Sequence, residues 1–258
     1  SVGASWLITE MLENKNDILT YAKIRGSYAE VGNPISRYIL NVTYPVVGGV
    51  PNLNSLTTAP DFQPERTRSW EAGADVRLFK SKLHLSGTYY HSSTFNQEFT
   101  PTSTATGGSS VFYVNAGQVD NNGVELSAMF NQNLGPVEWS TNLIWTKNTN
   151  KVVKMLDYTY GNEHYVSTRE NVGGTSAATL WLIEGRPVGE LYVSGLATNA
   201  DGTPYVTPSD KGGVMHKAPN DGTPDTMWYA GNVNPEWTGS WRNQFSWNGL
   251  SIAFMFTI

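Results

Sequence analysis

Residues 237–258 read Trp237-Thr-Gly-Ser-Trp-Arg-Asn-Gln-Phe-Ser-Trp-Asn-Gly-Leu-Ser-Ile-Ala-Phe-Met-Phe-Thr-Ile258, and this stretch decides the fold. Two alternating segments flank Asn248-Gly249, and Asn-Gly is the strongest short signal for a type I′ hairpin turn because both turn residues need a positive φ. Such a turn predicts the following cross-strand pairs: Trp247 with Leu250, Phe245 with Ile252, and Trp241 with Phe256. Large apolar side chains then share one face and small polar ones the other, which favours a strand with lipid outside and water inside.

The same period of two recurs along most of the chain. In the run Ser69–Leu78, for example, Trp70 and Val76 belong to the apolar set, whereas Glu71 and Asp75 belong to the polar one. Each run has on the order of 10 residues, the length that a tilted strand needs to cross a bilayer, and we find no convincing helical window. Strands are predicted at residues 19–31, 67–79, 82–94, 119–132, 137–148, 237–247 and 250–258, and the chain begins at the end of another strand.

The connections between the predicted strands alternate between short and long. Short turns are predicted at 80–81, 133–136 and 248–249, whereas the connections at 32–66, 95–118 and 148–236 are long and rich in Gly, Pro, Ser, Thr and Asn. This alternation is typical of outer-membrane barrels, which have short periplasmic turns and long external loops. Within the longest connection, the Gly185-Arg-Pro187 break suggests that residues 179–193 form an extracellular hairpin rather than two membrane strands.

Composition limits the class of protein. The 258 residues include 25 Gly and 9 Trp but only 15% charged residues, which favours β structure with long loops. A mean hydropathy of −0.34 and the lack of an apolar run of 18 residues exclude a transmembrane helix. A net charge of −5 gives no electrostatic footprint for nucleic acid. The first residues are neither a signal peptide nor a start methionine, so we expect a fragment or a mature piece of a protein.

The sequence predicts no catalytic residue, cofactor site or metal site. The four histidines have no metal-ligand spacing, and the chain has no cysteine, nucleophile elbow or phosphate loop. The segment Pro219–Asp225 has too few carboxylates for a calcium loop of the EF-hand type. On the polar strand faces, we expect Arg25 and Arg77 to pair with the carboxylates of Glu71, Asp75 and Glu125 across the wall.

Several short motifs occur in a fixed order over the whole chain. They are Ser1-Val-Gly-Ala-Ser-Trp6, then Leu19-Thr-Tyr-Ala-Lys-Ile-Arg-Gly-Ser-Tyr-Ala-Glu-Val-Gly-Asn33, Pro64-Glu65 with Ser69-Trp-Glu-Ala-Gly-Ala-Asp75, Leu85-Ser-Gly-Thr-Tyr-Tyr90, Asn115-Ala-Gly-Gln-Val-Asp-Asn-Asn-Gly-Val-Glu125, Glu184-Gly-Arg-Pro-Val-Gly189, and Gly231-Asn-Val-Asn-Pro-Glu-Trp237. In this order and spacing, the chain resembles the C-terminal barrel half of a SusC/RagA-type TonB-dependent outer-membrane transporter of the Bacteroidetes.

The resemblance implies an all-β fold: an antiparallel transmembrane β-barrel fragment with long extracellular loops. About eight strands of a barrel resembling the 22-stranded plugged transporters would lie in residues 1–258, so the plug domain, the TonB box and the remaining strands would come from outside this sequence. The implied location is the outer membrane of a Gram-negative bacterium of the Bacteroidetes type. The implied function is TonB-dependent import of an oligosaccharide, another glycan or a peptide, together with a SusD-like surface lipoprotein and without enzymatic activity. Its expected partners are that lipoprotein, TonB, outer-membrane lipid and the substrate, but no nucleic acid.

The aromatic residues divide into two predicted groups. Six tryptophans share the apolar strand faces and are predicted to be membrane-interface anchors, because indoles collect at headgroup level: Trp70, Trp139, Trp145, Trp237, Trp241 and Trp247. Four aromatic residues of the long loops are candidates for substrate binding, although packing within the loops explains them equally well: Trp181, Trp228, Tyr229 and Tyr205.

Two other kinds of protein remain open from the sequence. A soluble β-sandwich that binds glycans would also show alternating strands, but it would bury the apolar face of the terminal hairpin against a second sheet. A non-coupled outer-membrane barrel, such as an adhesin, would share the wall but would lack a plug and a TonB box.

Overall fold

The computed structural model describes residues 1–11, 17–35, 46–51, 56–58, 62–99, 111–115, 117–160, 163–175, 178–201, 203–209, 212–215 and 227–258. One short 3-10 helix covers Ile8–Glu10. The strands are β1 (Val2–Leu7), β2 (Leu19–Asn33), β3 (Val46–Val47), β4 (Val50–Pro51), β5 (Leu56–Thr58), β6 (Glu65–Leu78), β7 (Leu83–Phe95), β8 (Glu98–Phe99), β9 (Val111–Asn115), β10 (Gln118–Leu134), β11 (Val137–Lys154), β12 (Leu156–Tyr160), β13 (Glu163–Ser167), β14 (Arg169–Gly174), β15 (Ala178–Ile183), β16 (Glu190–Val193), β17 (Val206–Ser209), β18 (Gly212–Met215), β19 (Trp228–Asn232), β20 (Thr238–Trp247) and β21 (Leu250–Thr257).

The main structure is one eight-stranded sheet in the order β1-β2-β6-β7-β10-β11-β20-β21. Every neighbouring pair in it is antiparallel, so the chain crosses the sheet alternately in opposite directions. The seven predicted strands and their antiparallel arrangement are therefore confirmed. The sheet does not close on itself within this chain, because β1 and β21 are its two edges.

The terminal hairpin has the predicted register. Trp247 faces Leu250, Phe245 faces Ile252 and Trp241 faces Phe256. Asn248 and Gly249 have φ values of 44° and 83°, as a type I′ turn requires. The other two predicted turns, at 80–81 and 133–136, also join consecutive strands at this end of the sheet, which we call the short-turn end.

The register brings the apolar sides of all eight strands onto one face. Exposed members of this face, from one edge region of the sheet to the other, are Ile24, Trp70, Leu85, Leu126, Leu143, Trp241 and Phe254. The alternative of a β-sandwich requires a second sheet over this face, and no strand among the described residues forms one. In the described ranges, no helix is long and apolar enough to cross a membrane.

Smaller sheets lie in the long connections, at the opposite end from the tight turns. The largest has four strands in the order β14-β15-β16-β19, and we call it the loop sheet. The hairpin of residues 179–193 supplies β15 and β16 of this sheet and is not part of the eight-stranded sheet, as predicted. The buried apolar residues concentrate near it, and they include Val152, Met155, Leu156, Trp181 and Tyr192.

Candidate functional site

The polar face of the main sheet carries a ladder of charged and hydroxyl side chains. Lys23 and Arg25 on β2 approach the Asp75 carboxylate on β6, with Lys23 Nζ 3.3 Å and Arg25 Nε 3.9 Å from Oδ2. The Ser86 hydroxyl on β7 donates to Asp75 Oδ1 at 2.8 Å, and Arg25 Nη2 donates to Thr88 Oγ1. Because the pairing register sets Lys23, Asp75 and Ser86 side by side, this ladder joins three strands. The predicted pairing of Arg25 with a carboxylate is confirmed.

The corresponding prediction for Arg77 is wrong. Its guanidinium carbon lies 4.9 Å from the centroid of the Tyr21 ring, in a cation–π contact. The register explains the difference, because the neighbours of Arg77 across the sheet are Tyr21 and His84 rather than carboxylates. Glu71 and Glu125 likewise have uncharged neighbours, and they form no ion pair with any residue that the structure describes.

A glycine on the polar face makes room for an aromatic ring. The Tyr90 ring lies over Gly123, so a Cβ at position 123 would come within 2.1 Å of Tyr90 Cζ. The Tyr90 hydroxyl donates to Asn148 Oδ1 at 3.3 Å. This contact gives a physical reason for the glycine in the motif Asn121-Asn-Gly-Val-Glu125. Nearer the short-turn end, a polar cavity of about 420 Å³ is lined in part by Lys23 and Asp75.

The six tryptophans predicted as membrane anchors all lie on the apolar face, but they divide by hydrogen bonding. The indole Nε1 of Trp139 donates to Asn243 Oδ1 at 3.1 Å, and that of Trp241 donates to Thr141 Oγ1 at 2.9 Å. Among the described residues, the other four have no protein acceptor for the indole N–H: Trp70, Trp145, Trp237 and Trp247. An anchoring role for the six stays a prediction, and Thr141 and Asn243 are polar members of this face that sequence reasoning missed.

The four loop aromatics predicted to bind substrate do not form one surface. Trp181 is only 8% exposed and donates from Nε1 to Thr179 Oγ1 at 3.0 Å, which favours a packing role. Trp228 and Tyr229 are exposed but adjacent on β19, so their side chains point to opposite faces of the loop sheet. Tyr205 is exposed and lies beside the isolated bridge between Thr198 and Pro204. Substrate binding by these residues stays a prediction.

Two of the sequence motifs meet where the loop sheet joins β11. Val152 on β11 exchanges backbone hydrogen bonds with the motif of residues 184–189: its N–H donates to Arg186 O at 2.9 Å, and its carbonyl accepts from Gly185 N at 2.8 Å. The Nδ2 groups of Asn232 and Asn234, from the motif of residues 231–237, both donate to Val188 O at 3.0 Å. These motifs therefore fasten the loop sheet to the end of a main-sheet strand, a role that their spacing in the sequence does not reveal.

An ion pair with a buried carboxylate and an Arg186 side chain that is about half exposed lies at the same junction. Glu190 is 2% exposed and accepts hydrogen bonds from Arg186 Nε, at 3.0 and 3.1 Å, and from the Tyr192 hydroxyl, at 2.8 Å. The hydrogen bonds from Arg186 to Glu190 raise the pKa of the Arg186 guanidinium. Burial, together with the hydrogen bond to Glu190, raises the pKa of Tyr192 to about 12. The Tyr229 ring covers this group, with Arg186 Cζ 5.7 Å from its centroid.

In the described ranges, no group of three or more His, Asp or Glu side chains is arranged to hold a metal ion. The acidic segment Pro219–Asp225 lies outside the described residues.

Comparisons with known proteins identify one family, and two solved structures share its fold. The family model for the TonB dependent receptor-like β-barrel matches residues 1–250. A curated relative, TonB-dependent receptor P3 of Formosa agariphila, is 30% identical over 194 residues, which cover 70% of this chain and 18% of that protein. The solved structure of the RagAB peptide transporter superposes with a TM-score of 0.73 at 19% identity, covering 99% of this chain and 28% of that one. The RagAB peptide importer in its closed-closed state gives a TM-score of 0.72 at 18% identity, with the same coverage.

Proposed function

The chain belongs to the TonB-dependent receptor-like β-barrel family of the outer membrane, and we propose that it forms part of the barrel wall of an energy-coupled nutrient importer. The chain spans less than a third of the length of the relatives described above. We infer that the importing protein is larger than this chain. Its other parts are expected to include the plug domain and the segment that contacts TonB.

One observation carries the proposal: the apolar face spans all eight strands without a charged side chain until the long-loop end. A surface of this kind is stable against hydrocarbon, whereas each charge near the middle of a bilayer would cost about 2–4 kcal/mol. The opposite face carries the Lys23–Arg25–Asp75 ladder, which suits a wall in contact with water. The short-turn end is then periplasmic and the loop sheet extracellular.

The proposed mechanism is transport without covalent chemistry. The substrate, an oligosaccharide, another glycan or a peptide, is captured outside the cell beneath a SusD-like surface lipoprotein. It then enters the barrel when TonB, driven by the proton-motive force, rearranges the plug. We propose that the exposed rings of Trp228, Tyr229 and Tyr205 contact the substrate from the external loops.

Uptake by living cells tests the coupling to TonB. Cells expressing the complete transporter are given fluorescent oligosaccharides and fluorescent peptides in parallel, and accumulation is compared with that of a deletion strain. We expect one substrate class to accumulate, and accumulation to stop when TonB is deleted or a protonophore is added. Uptake that persists without TonB would contradict the proposal and favour a non-coupled barrel. Uptake that persists without the lipoprotein would contradict only the proposed partner.

The loop aromatics are tested in the same assay. Trp228→Ala and Tyr229→Ala are expected to raise the substrate concentration needed for half-maximal uptake by about tenfold each, because an aromatic ring that packs against a ligand contributes about 1–2 kcal/mol to binding. Trp237→Ala, on the apolar face of the wall, is the control and is expected to leave that concentration unchanged. Equal effects of all three substitutions would contradict a direct role in substrate binding.

A further inference from the structure

The apolar face ends in a belt of charged side chains on the side of the long loops. Among the described residues of the eight strands, the belt includes Glu30, Arg66, Arg68, Asp120, Lys147 and Lys151, together with Lys154, which pairs with Asp157 beyond the end of β11. Counted from the short-turn end, three of them come two residues after an aromatic residue of the same face: Glu30 after Tyr28, Arg68 after Trp70, and Lys147 after Trp145. The Trp70 ring lies 5.4 Å from that of Tyr89 and 5.9 Å from that of His91.

Two arginines of this belt share one carboxylate. Arg66 Nη1 lies 3.4 Å from Glu30 Oε1, and Arg68 Nε lies 3.4 Å from Glu30 Oε2. The Arg68 guanidinium also lies over the Phe95 ring, with Cζ 4.6 Å from its centroid. This contact holds the planar group flat against the wall. The side chains of Arg66 and Arg68 remain 52% and 53% exposed, so about half of each is accessible to a ligand.

The belt has an excess of positive charge. Asp120 is occupied by neutral donors, the Ser93 hydroxyl at 2.6 Å and Gln118 Nε2 at 2.9 Å. Lys147 and Lys151 form no ion pair with any residue that the structure describes. Apart from Lys154, which Asp157 pairs, four cations thus stand against two carboxylates, although the chain as a whole has a net charge of −5.

The height of the belt matches a headgroup layer. A strand rises about 3.3 Å per residue and is tilted by about 40°, so each residue adds about 2.5 Å of height. Counted from Leu78 at the short-turn end, Trp70 lies about 20 Å, Arg68 about 25 Å and Arg66 about 30 Å up the wall, against an apolar band about 25 Å tall. Arg68 and Arg66 therefore lie at and just beyond the edge of the hydrocarbon.

We propose that Arg66 and Arg68 form a binding site for the phosphate groups of an anionic lipid in the external leaflet. Lys147 and Lys151 lie three strands away on β11, about 14 Å across the wall, and add positive charge to the same belt. The planar guanidinium fork suits phosphate oxygens and can bind them bidentately. The site lies on the apolar face of the wall, next to the aromatic residues of that face. A molecule that approaches it from the side of this face is a membrane lipid, whereas a substrate inside the barrel would contact the opposite face. This inference rests on the position of the wall in the membrane and not on transport.

The test measures binding of a phosphorylated lipid to the complete transporter. The protein is placed in nanodiscs of zwitterionic phosphatidylcholine and titrated with fluorescent lipid A, either phosphorylated or dephosphorylated. The double variant Arg66→Gln/Arg68→Gln is compared with the wild type. Arg242→Gln is the matched control, because Arg242 lies on the polar face of β20, where its Nη2 donates to Gln244 Oε1 at 3.2 Å. Heat-modifiable migration on gels verifies that every variant forms a folded barrel.

We expect the double variant to bind phosphorylated lipid A about 30-fold more weakly than the wild type does, because two cations near a charged surface are removed. Arg242→Gln should bind like the wild type, and dephosphorylated lipid A should bind weakly to all three. Wild-type affinity in the double variant would overturn the proposal, as would equal binding of the dephosphorylated lipid. Displacement of lipid A by millimolar inorganic phosphate would also overturn it, since the site would then recognise free phosphate. If the double variant no longer binds the surface lipoprotein but binds lipid A like the wild type, the two arginines form a protein-docking site instead.

Discussion

Asn243 is a polar side chain in the middle of the apolar face, yet it is only 2% exposed. Its Oδ1 accepts the indole hydrogen bond of Trp139, and the Trp139 ring stacks on Phe245 with 6.3 Å between centroids. A buried indole N–H needs an acceptor in hydrocarbon, where water cannot replace it. The Asn243 Nδ2, by contrast, has no hydrogen-bond partner among the described residues. Asn243 thus stabilises the wall through one atom and destabilises it through another.

A double-mutant cycle separates the two effects of Asn243. Asn243→Leu removes the acceptor of Trp139 but also removes the unpaired amide, so in the wild-type background the two changes partly cancel. In a Trp139→Phe background the acceptor is no longer needed, and the same substitution should be more favourable by about 1 kcal/mol. The measurement is the free energy of unfolding of the barrel in lipid vesicles by chemical denaturation. Identical effects of Asn243→Leu in both backgrounds would show that the hydrogen bond contributes nothing.

Within a single strand, β11 offers a direct test of which face meets lipid. Leu143 and Ile144 are adjacent aliphatic residues, 52% and 43% exposed, on the apolar and the polar face respectively. We expect Leu143→Arg to lower the free energy of unfolding by about 2 kcal/mol, because it places a charge in hydrocarbon between the midplane and the interface. Ile144→Arg, at nearly the same height but facing water, should cost less than about 0.5 kcal/mol. Equal costs, or a larger cost at Ile144, would mean that the faces are assigned the wrong way round.

The loop sheet should respond to alkaline pH through Tyr192. Its pKa is raised from the ordinary value of 10 to about 12, so the neutral phenol is the form that the folded sheet stabilises. That stabilisation is present in full below pH 10 and is lost as the pH rises through about 12. Protection of the β15 and β16 amides, taken as the intrinsic exchange rate divided by the observed rate at the same pH, should therefore decrease over this range in the wild type. The decrease should be smaller in Tyr192→Phe. A tyrosinate absorbance change assigned to Tyr192 and centred near pH 10 would contradict the predicted shift.

Elements differed in how well the sequence predicted them, for a physical reason. The long strands and the terminal hairpin are encoded locally, because their period of two and the Asn-Gly turn can be recognised within a short window. The loop sheet is not encoded locally, because β16 and β19 have only four and five residues and pair with each other across a long stretch of chain. The same limit applies to the side chains: the partner of Arg25 followed from the register, but the contact of Arg77 with Tyr21 required knowing which strands are neighbours.

At the scale of the whole wall, the six tryptophans of the apolar face should lie at different depths. At about 2.5 Å of height per residue, counting from the adjacent tight turns places Trp247 near the periplasmic edge of the hydrocarbon and Trp70, Trp145 and Trp237 near its external edge. Trp139 lies two residues inside the periplasmic edge, and Trp241 lies four residues inside the external edge marked by Trp237. The hydrogen bonds agree with this division. The two inner indoles have protein acceptors, whereas the four outer ones have none among the described residues and are expected to donate to water and headgroups.

Depth-dependent quenching tests this arrangement directly. The complete transporter is reconstituted in lipids brominated either close to the headgroup or close to the acyl-chain end, and the decrease in fluorescence on replacing one tryptophan by Phe is measured in each. Trp139→Phe and Trp241→Phe should remove fluorescence that the deep bromines quench more strongly. Trp145→Phe and Trp247→Phe should remove fluorescence that the shallow bromines quench more strongly, since interfacial indoles lie at headgroup level. An equal depth for all of these tryptophans would contradict the arrangement. Water could then accept the hydrogen bond of every indole N–H, and the acceptors Thr141 and Asn243 would not be needed.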